Sequence, residues 1–382
     1  MNSSEPGAAI LIAATSGRAL AAAARRAGYG PLVADFFDDE DTGVLAEANC
    51  LVAGDLQSGF ESAALIAALE ALARARAPIG LIYGAGFEDR VEILQDLALR
   101  WTIFGNPPEV VRRVKDPFAL AALCASLSIP HPEISVEMPQ EGERGDWLVK
   151  SVGGAGGGHV APAGTWREEG ENIYFQRIAR GDPVSILLLA DGAEAQMLGS
   201  SRQWPAPAPD EPFRFGGSLR PADLAPRLES RLTEIAEVIA RACRLRGLNS
   251  IDLLVDGDQV TLIEINPRPG ATLDIFEDRE GSLFQAHING CLGRLPERAL
   301  QFEGAAAAAI AYVARPIPSM PALDWPDWAS DRQKARTALH LNDPLCTIKA
   351  RAALPSQARM LLEERTAFIL DELEHIGNGA AS

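Results

Sequence analysis

The sequence predicts an open α/β domain at the N-terminus, then a larger α+β region and a small C-terminal α+β segment. Three observations predict this. The stretch 8–35 reads strand, helix, strand, which is the spacing of a βαβ unit. Residues 147–200 read as strands and turns. Residues 251–265 read as a hairpin that turns at Asp256-Gly257-Asp258.

The apolar run 8–14 suits a buried parallel strand. A Ser16-Gly17-Arg18 turn leads into an alanine-rich helix to about Ala27, ended by Gly28 and Gly30, and 31–35 is the second strand. Short apolar runs at 49–54, 79–83 and 101–104 alternate with helical stretches, so residues 1–113 form the α/β domain. The first turn lacks GxGxxG, which weighs against a dinucleotide site with Asp35 as its ribose acid. The loop Gly84-Ala85-Gly86-Phe87-Glu88-Asp89 follows a strand C-terminus, where open α/β sheets bind ligands. Gly84, Gly86, Phe87 and Glu88 are therefore candidate substrate contacts; a plain strand-to-helix turn is the alternative.

Asp116 as N-cap and Pro117 at the first helical position begin a helix to about Leu127, closed by Ile129-Pro130. Residues 224–246 are a long amphipathic helix. The Pro-rich stretch 204–212 reads as a loop over a site, ordered or mobile. Arg202, Arg214 and Arg220 in and around it are candidates to recognise an anionic acceptor, or else solvated loop charges. From Gly304 the chain shows an Ala-rich strand (305–314), a Pro-rich connector (316–328) and a helix from Ser356 to about His375. Residues 377–382 are expected to fray, and no internal repeat is visible.

Composition narrows the function. The 382 residues carry a net charge of −17 and a pI near 4.8, which argues against nucleic acid or an anionic membrane as the partner. The five cysteines (Cys50, Cys124, Cys243, Cys291, Cys346) lie far apart with no CxxC, so neither a zinc site nor a disulfide framework is expected. The run 8–14 is too short for a signal core or a membrane span, and a cytoplasmic soluble protein is expected.

The chemistry concentrates in Leu262-Ile263-Glu264-Ile265-Asn266-Pro267-Arg268-Pro269-Gly270. Strand alternation puts Glu264, Asn266 and Arg268 on one face and sends Ile263 and Ile265 to the core. Oxygen ligands of this kind suit a hard divalent cation that also binds substrate phosphates. Asp252 lies on the partner strand. With an odd number of turn residues it shares a face with Glu264; with an even number it does not. Lys150 ends the strand 147–150, and the glycine-rich stretch with Gly153, Gly154, Gly156 and Gly157 follows, ending at His159. No helix start and no GxxxxGK[ST] accompanies it, so a flexible hairpin flap over phosphates fits better than a Rossmann turn or P-loop. His159 is placed to touch phosphate or substrate, or to face solvent.

Taken in order, Lys115, Lys150 with its flap, QRIARGDPVSI at 176–186, Asp252 and EINPRPG resemble the ATP-grasp superfamily across roughly residues 1–300. The resemblance implies a pre-ATP-grasp domain (1–113), an ATP-grasp domain (114–300, with lobes 114–180 and 181–300) and a C-terminal segment (301–382). It implies ATP and Mg²⁺ (or Mn²⁺) as cofactors. Lys115 and Lys150 would bind phosphates, with Lys150 and Arg268 catalytic. Gln176, Arg177, Ile178 and Ala179 would form the adenine hinge, and Asp252, Glu264 and Asn266 would ligate metal. The chain departs from the pattern at Arg177 and Pro183, where relatives carry acids; Asp182 is the nearest ribose ligand. The implied activity is an ADP-forming C–N ligase that joins small-molecule carboxylate and amine substrates through an acyl phosphate, with a homodimer allowed. SGRALAAAARRAGYGPLVADFFDDEDT and YGAGFEDR also resemble ATP-grasp proteins of tetrahydromethanopterin- and methylofuran-dependent one-carbon metabolism in methylotrophs. That likeness would imply adding an amino acid such as glutamate to a coenzyme precursor. Biotin-carboxylase-like carboxyphosphate chemistry, and a nucleotide-binding scaffold without turnover, are the rival readings.

Overall fold

The structure, a computed structural model, describes residues 7–55, 58–166, 172–276, 278 and 280–379, with side chains through Leu373. In the N-terminal domain the chain runs β1 (Ala9–Ala13), α1 (Arg18–Arg26), β2 (Gly30–Asp35), α2 (Glu40–Leu45) and β3 (Ala48–Leu51). A small ribbon, β4 (Gly54–Asp55) with β5 (Gly59–Phe60), precedes α3 (Ser62–Ala75), β6 (Pro78–Tyr83) and α4 (Val91–Ala98). The sheet is parallel with order β3-β2-β1-β6. The apolar stretch 101–104, expected as a strand, makes only a bridge between Ile103 and Leu81, because the chain turns away at Asn106-Pro107. Helix α2 falls in the acidic stretch after β2; the Asp39 side chain caps it by accepting from Thr42 N at 2.7 Å.

Next come α5 (Pro108–Lys115) and α6 (Pro117–Ser126), the latter capped by Asp116, which accepts from Phe118 N and Ala119 N at 2.9 and 3.1 Å. The small lobe is an antiparallel sheet of β7 (Ile134–Ser135), β8 (Trp147–Ser151), β9 (Val160–Pro162) and β10 (Ile173–Arg177), in the order β7-β10-β8-β9. The large lobe holds β11 (Asp182–Asp191), β12 (Ala195–Pro205), β13 (Phe215–Arg220), α7 (Pro226–Cys243), β14 (Arg246–Asp256), β15 (Gln259–Asn266) and α8 (Ser282–Cys291). Then follow β16 (Ala305–Tyr312), β17 (Ala329–Ser330), β18 (Pro344–Ala352) and α9 (Pro355–Gly379).

The boundary expected at residue 300 does not separate two sheets. One eight-stranded sheet runs β15-β14-β11-β12-β13-β16-β18-β17, because β13 offers an open edge and the Ala-rich β16 pairs with it, Gly217 opposite Ala309. On one sheet face Ile186, Leu188, Leu253 and Ile265 pack with Ile235 and Ile239 of α7. On the other, Leu187, Leu189 and Leu248 share a cluster with Phe284 of α8 and with Ile10, Ile12 and Ala24 of the N-terminal domain. The N-terminal domain is thus packed directly against the large lobe.

An ion knot reinforces that packing. Arg18, at the start of α1, donates to both oxygens of Asp274 (2.5 and 2.7 Å) and both of Asp331 (3.1 and 2.7 Å). Asp41 accepts from the backbone of Asp331 and Arg332. Helix α9 begins one residue before the expected Ser356 and runs to Gly379, past the point where fraying was expected; 380–382 lie outside the described residues. Among the described residues no helix is long and apolar enough to cross a membrane.

Candidate active site

The β14–β15 hairpin turns on Gly257 and Asp258, since Asp256 pairs with Gln259. An even turn predicts that Glu264 faces away from Asp252. The pairs Leu254–Thr261 and Leu253–Leu262 keep that register, but the next pair is Asp252–Glu264: the ladder slips by one residue at Ile263. This bulge flips the alternation, so Asp252 and Glu264 lie side by side. Asn266 joins them, its Nδ2 donating to Asp252 Oδ2 at 2.8 Å. The bulge also corrects the expectation for Ile263. Leu262 and Ile265 are fully buried in the core, whereas Ile263 lines the cleft.

Two ammonium groups oppose these oxygens. Lys115, at the end of α5, donates to Glu264 Oε1 and lies 3.4 Å from Asn266 Oδ1. Lys150, on β8, donates to Gln176 Oε1 of β10 at 3.2 Å. Both lysines are buried. Burial would raise the Glu264 carboxyl, but Lys115 and Lys150 outweigh it and hold Glu264 below its ordinary range. Asp252 has less help. Burial and the Glu264 charge push it up to about 6, although Ser185 donates to its Oδ1 at 2.6 Å. Burial likewise lowers Lys150, with Lys115 adding to the effect.

The flap between β8 and β9 closes over this group. Gly153 (φ +77°) leaves no room for a side chain, since a Cβ would lie 2.6 Å from Asp89 Cα. Gly157 (φ +79°) presses so closely on the Phe213 carbonyl that a Cβ would lie 1.9 Å from it. Lys115 donates to Gly154 O at 3.3 Å, and Phe215 N donates to Gly156 O at 2.9 Å. Beneath is a cavity of about 20 Å³ lined by Lys115, Gly154, His159, Tyr174, Ile263 and Glu264. His159 therefore faces inward; burial pushes it down to about 4, and its Nδ1 lies 3.3 Å from Ala155 O.

Gln176 is buried at the end of β10, while Arg177 and Ile178 are exposed and lead with Ala179 into β11. The Arg177 and Ile178 N–H groups donate to Glu133 O and Asp146 O, both at 2.8 Å. Asp182 is exposed and accepts from Arg202 Nη1 at 3.0 Å.

Arg268 reaches the N-terminal domain: its Nε donates to Glu88 Oε1 at 2.6 Å. Glu88 Oε2 accepts from Gly86 N (2.8 Å) and Phe87 N (3.0 Å). Burial opposes ionisation of Glu88, yet Arg268 and Lys115 hold it at about 2. The loop 84–89 thus delivers one carboxylate to the cleft. Phe87 is fully buried against Phe60, with ring centroids 5.1 Å apart, and Gly84 is pressed on Ala14. Arg214 and Arg220 do not join the cluster around Glu264. Arg214 stacks on Tyr312 at 3.6 Å and donates to Ala206 O and Asn342 O. Arg220 is engaged by the carbonyls of Ile275, Phe302, Glu303 and Gly304. Their packing roles escaped sequence reading because the carbonyl partners come from distant segments.

Sequence reading also missed Ser185, opposite Asp252 on β11, and Tyr174. A lone small hydroxyl within Val184-Ser185-Ile186 was the available signal. Among the described residues no group of three or more His, Cys, Asp or Glu is placed to hold a metal. Two carboxylates and an amide nonetheless suit a hard cation that completes its shell with phosphate oxygens and water.

Comparison with known proteins bears on this geometry. A family model described as an ATP-grasp domain matches residues 116–272. The formate-dependent phosphoribosylglycinamide formyltransferase of Methylococcus capsulatus is 32% identical over 98 residues, 25% of this chain and 24% of that protein. The Azotobacter vinelandii protein of the same name is 34% identical over 97 residues, 25% and 24% of the two chains. These matches thus span about a quarter of the curated relatives' length. Among solved structures, the biotin carboxylase domain dimer of Hydrogenobacter thermophilus 2-oxoglutarate carboxylase, in complex with MgADP, ADP and bicarbonate, superposes with TM-score 0.69. Identity is 12%, over 92% of this chain and 87% of that one. N5-carboxyaminoimidazole ribonucleotide synthetase from Thermotoga maritima superposes with TM-score 0.64 at 14% identity, over 94% and 98%. Residues 116–272 match an ATP-grasp domain, and the fold of the chain is the ATP-grasp fold.

Proposed function

We propose that this chain binds ATP with Mg²⁺ (or Mn²⁺) and acts as an ADP-forming carboxylate–amine ligase. The observation that carries the reading is the convergence of Asp252, Glu264 and Asn266 on one face of a bulged hairpin, opposite Lys115 and Lys150 and beneath a glycine flap. A carboxylate lacks a leaving group. Transfer of the ATP γ-phosphoryl to it makes an acyl phosphate that an amine can attack, and such transfer needs positioning and charge neutralisation above all.

In this reading Lys115 turns from Glu264 to a phosphate oxygen when nucleotide enters. Lys150, held by Gln176, meets a second phosphate oxygen. Gly153, Gly154, Gly156 and Gly157 let the flap backbone lie against the phosphates, which requires it to lift from its present 20 Å³ cavity. Gln176, Arg177, Ile178 and Ala179 border the base, and Asp182 the ribose. Asp252, Glu264 and Asn266 would hold the metal, which would neutralise charge on the phosphate oxygens. Arg268, fixed by Glu88, would orient the carboxylate. A small carboxylate is supported by the formate dependence in the names of the formyltransferases. The finer reading is addition of an amino acid such as glutamate to a one-carbon-carrier precursor, in the cytoplasm and as a homodimer. The choice of amino acid and precursor rests on the likeness of segments 16–42 and 83–90, and the cytoplasm on the short apolar run 8–14 and the scattered cysteines.

The test is ADP release from Mg·ATP across a panel of carboxylates with and without amines. Release that requires both substrates supports the ligase. Release with bicarbonate alone replaces it with carboxyphosphate chemistry, and tight ATP binding without release replaces it with a scaffold.

A further inference from the structure

We infer that Asn106 is a positioning residue for the end of the cleft formed by Asn266 and Arg268, an inference that rests on the function just proposed. Strand β15 ends at Asn266, which pairs with Ser250 as the final rung of its ladder. The peptide after it begins with Pro267, which has no N–H to anchor it. Its carbonyl is gripped instead from the N-terminal domain. Asn106 Nδ2 donates to Pro267 O at 2.8 Å, and the Tyr83 hydroxyl lies 3.3 Å from the same oxygen and 2.8 Å from Asn106 O. Asn106 Oδ1 accepts from Arg246 N at 2.8 Å, so one amide ties the first residue of β14 to the turn that follows β15. Asn249 supports it from β14, its Oδ1 taking Asn106 Nδ2 at 2.6 Å. Asn106 and Asn249 are fully buried.

The gripped oxygen lies between two side chains of the cleft. On one side Asn266 bonds Asp252, and on the other Arg268 bonds Glu88. Rotation of that peptide would displace both. Asn106 itself bonds to neither Asp252 nor Glu264, so its action runs through Pro267. An aspartate there would turn lone pairs toward both Pro267 O and Asn249 Oδ1, where the amide now donates.

The test uses the full chain with ADP and Mn²⁺ as probes, read by calorimetry and Mn²⁺ paramagnetic resonance, and needs no knowledge of the carboxylate or amine. Asn106→Asp and Asn106→Ala are expected to weaken Mn²⁺·ADP binding about tenfold or more while binding of ADP alone stays unchanged. Tyr83→Phe, a milder change that removes only the hydroxyl, is expected to lose part of the same metal-dependent gain. His287→Ala is the control. It removes another buried link between the same domains, where His287 Nδ1 accepts from Leu248 N and Nε2 meets Phe104 O. It should lower Tm yet keep the gain. Full gain in a folded Asn106 variant or in Tyr83→Phe overturns the positioning role, as does an equal loss in His287→Ala. A wild-type chain that gains nothing from Mn²⁺ overturns the proposed function and this role together, so the two failures are distinguishable.

Discussion

The cleft around Glu264 and the knot around Arg18 both bury charge, but they settle it differently. In the knot, Asp274 and Asp331 face a single guanidinium along both its edges. Burial works against the Arg18 charge, yet the two carboxylates raise its pKa well above the ordinary value, and Asp331 is held at about 2. In the cleft the matching is incomplete. Asp252 sits near 6 and Lys150 is depressed, both because burial outruns the partners. Arg18 is thus compensated by the chain itself, whereas the cleft leaves charge that anionic and cationic ligands would compensate in the proposed function.

The largest test of that contrast is Arg18→Met. It leaves Asp274 and Asp331 buried without their cation and should cost about 3–5 kcal/mol of stability, read by thermal unfolding. Glu264→Gln should do the reverse. The fold should survive, while metal-dependent ADP release falls about a hundredfold; unchanged release would dissociate Glu264 from the chemistry.

A pH titration sharpens the comparison at the rim of the knot. Burial, and after it the charges of Asp331 and Asp41 beside it, push Asp39 up to about 8. Its folded value lies above its unfolded one, so between about pH 4 and pH 8 unfolding releases a proton and stability falls as pH rises, by about 1.4 kcal/mol per unit at most. Asp39→Asn, which keeps an N-cap residue, should flatten that slope in chemical denaturation across the window. Asp331 has the opposite sign: its contribution is present above about pH 4 and is lost as pH falls toward 2. The smallest effect is expected at Asp182→Ala, whose exposed pair with Arg202 contributes under about 1 kcal/mol. A weaker nucleotide affinity without loss of Tm would place Asp182 at the ribose.

Much of this was legible in the sequence because it was local. The buried run of β1, the Asp116 cap and the Asp256-Gly257-Asp258 turn each follow from neighbouring residues. The site was legible only up to register. The sequence left the parity of the turn open; the two-residue turn alone would send Glu264 to the other face, and the bulge at Ile263 brings it back beside Asp252. What stayed hidden was long-range: Asn106 against Pro267, Arg220 against four carbonyls, and β16 against β13. No periodicity encodes such meetings, since each depends on where a distant backbone oxygen ends up.

The seamless join of β13 to β16 has a practical side. Shortening the gene to stop after α8 would strip β13 of its neighbour β16 and bare Leu219 and Trp204, which now pack in one cluster with β16, β18 and α9. Such a fragment would invite sticky edge-to-edge association between molecules. Expression work on residues 1–291 is therefore best done with the last helix kept in frame.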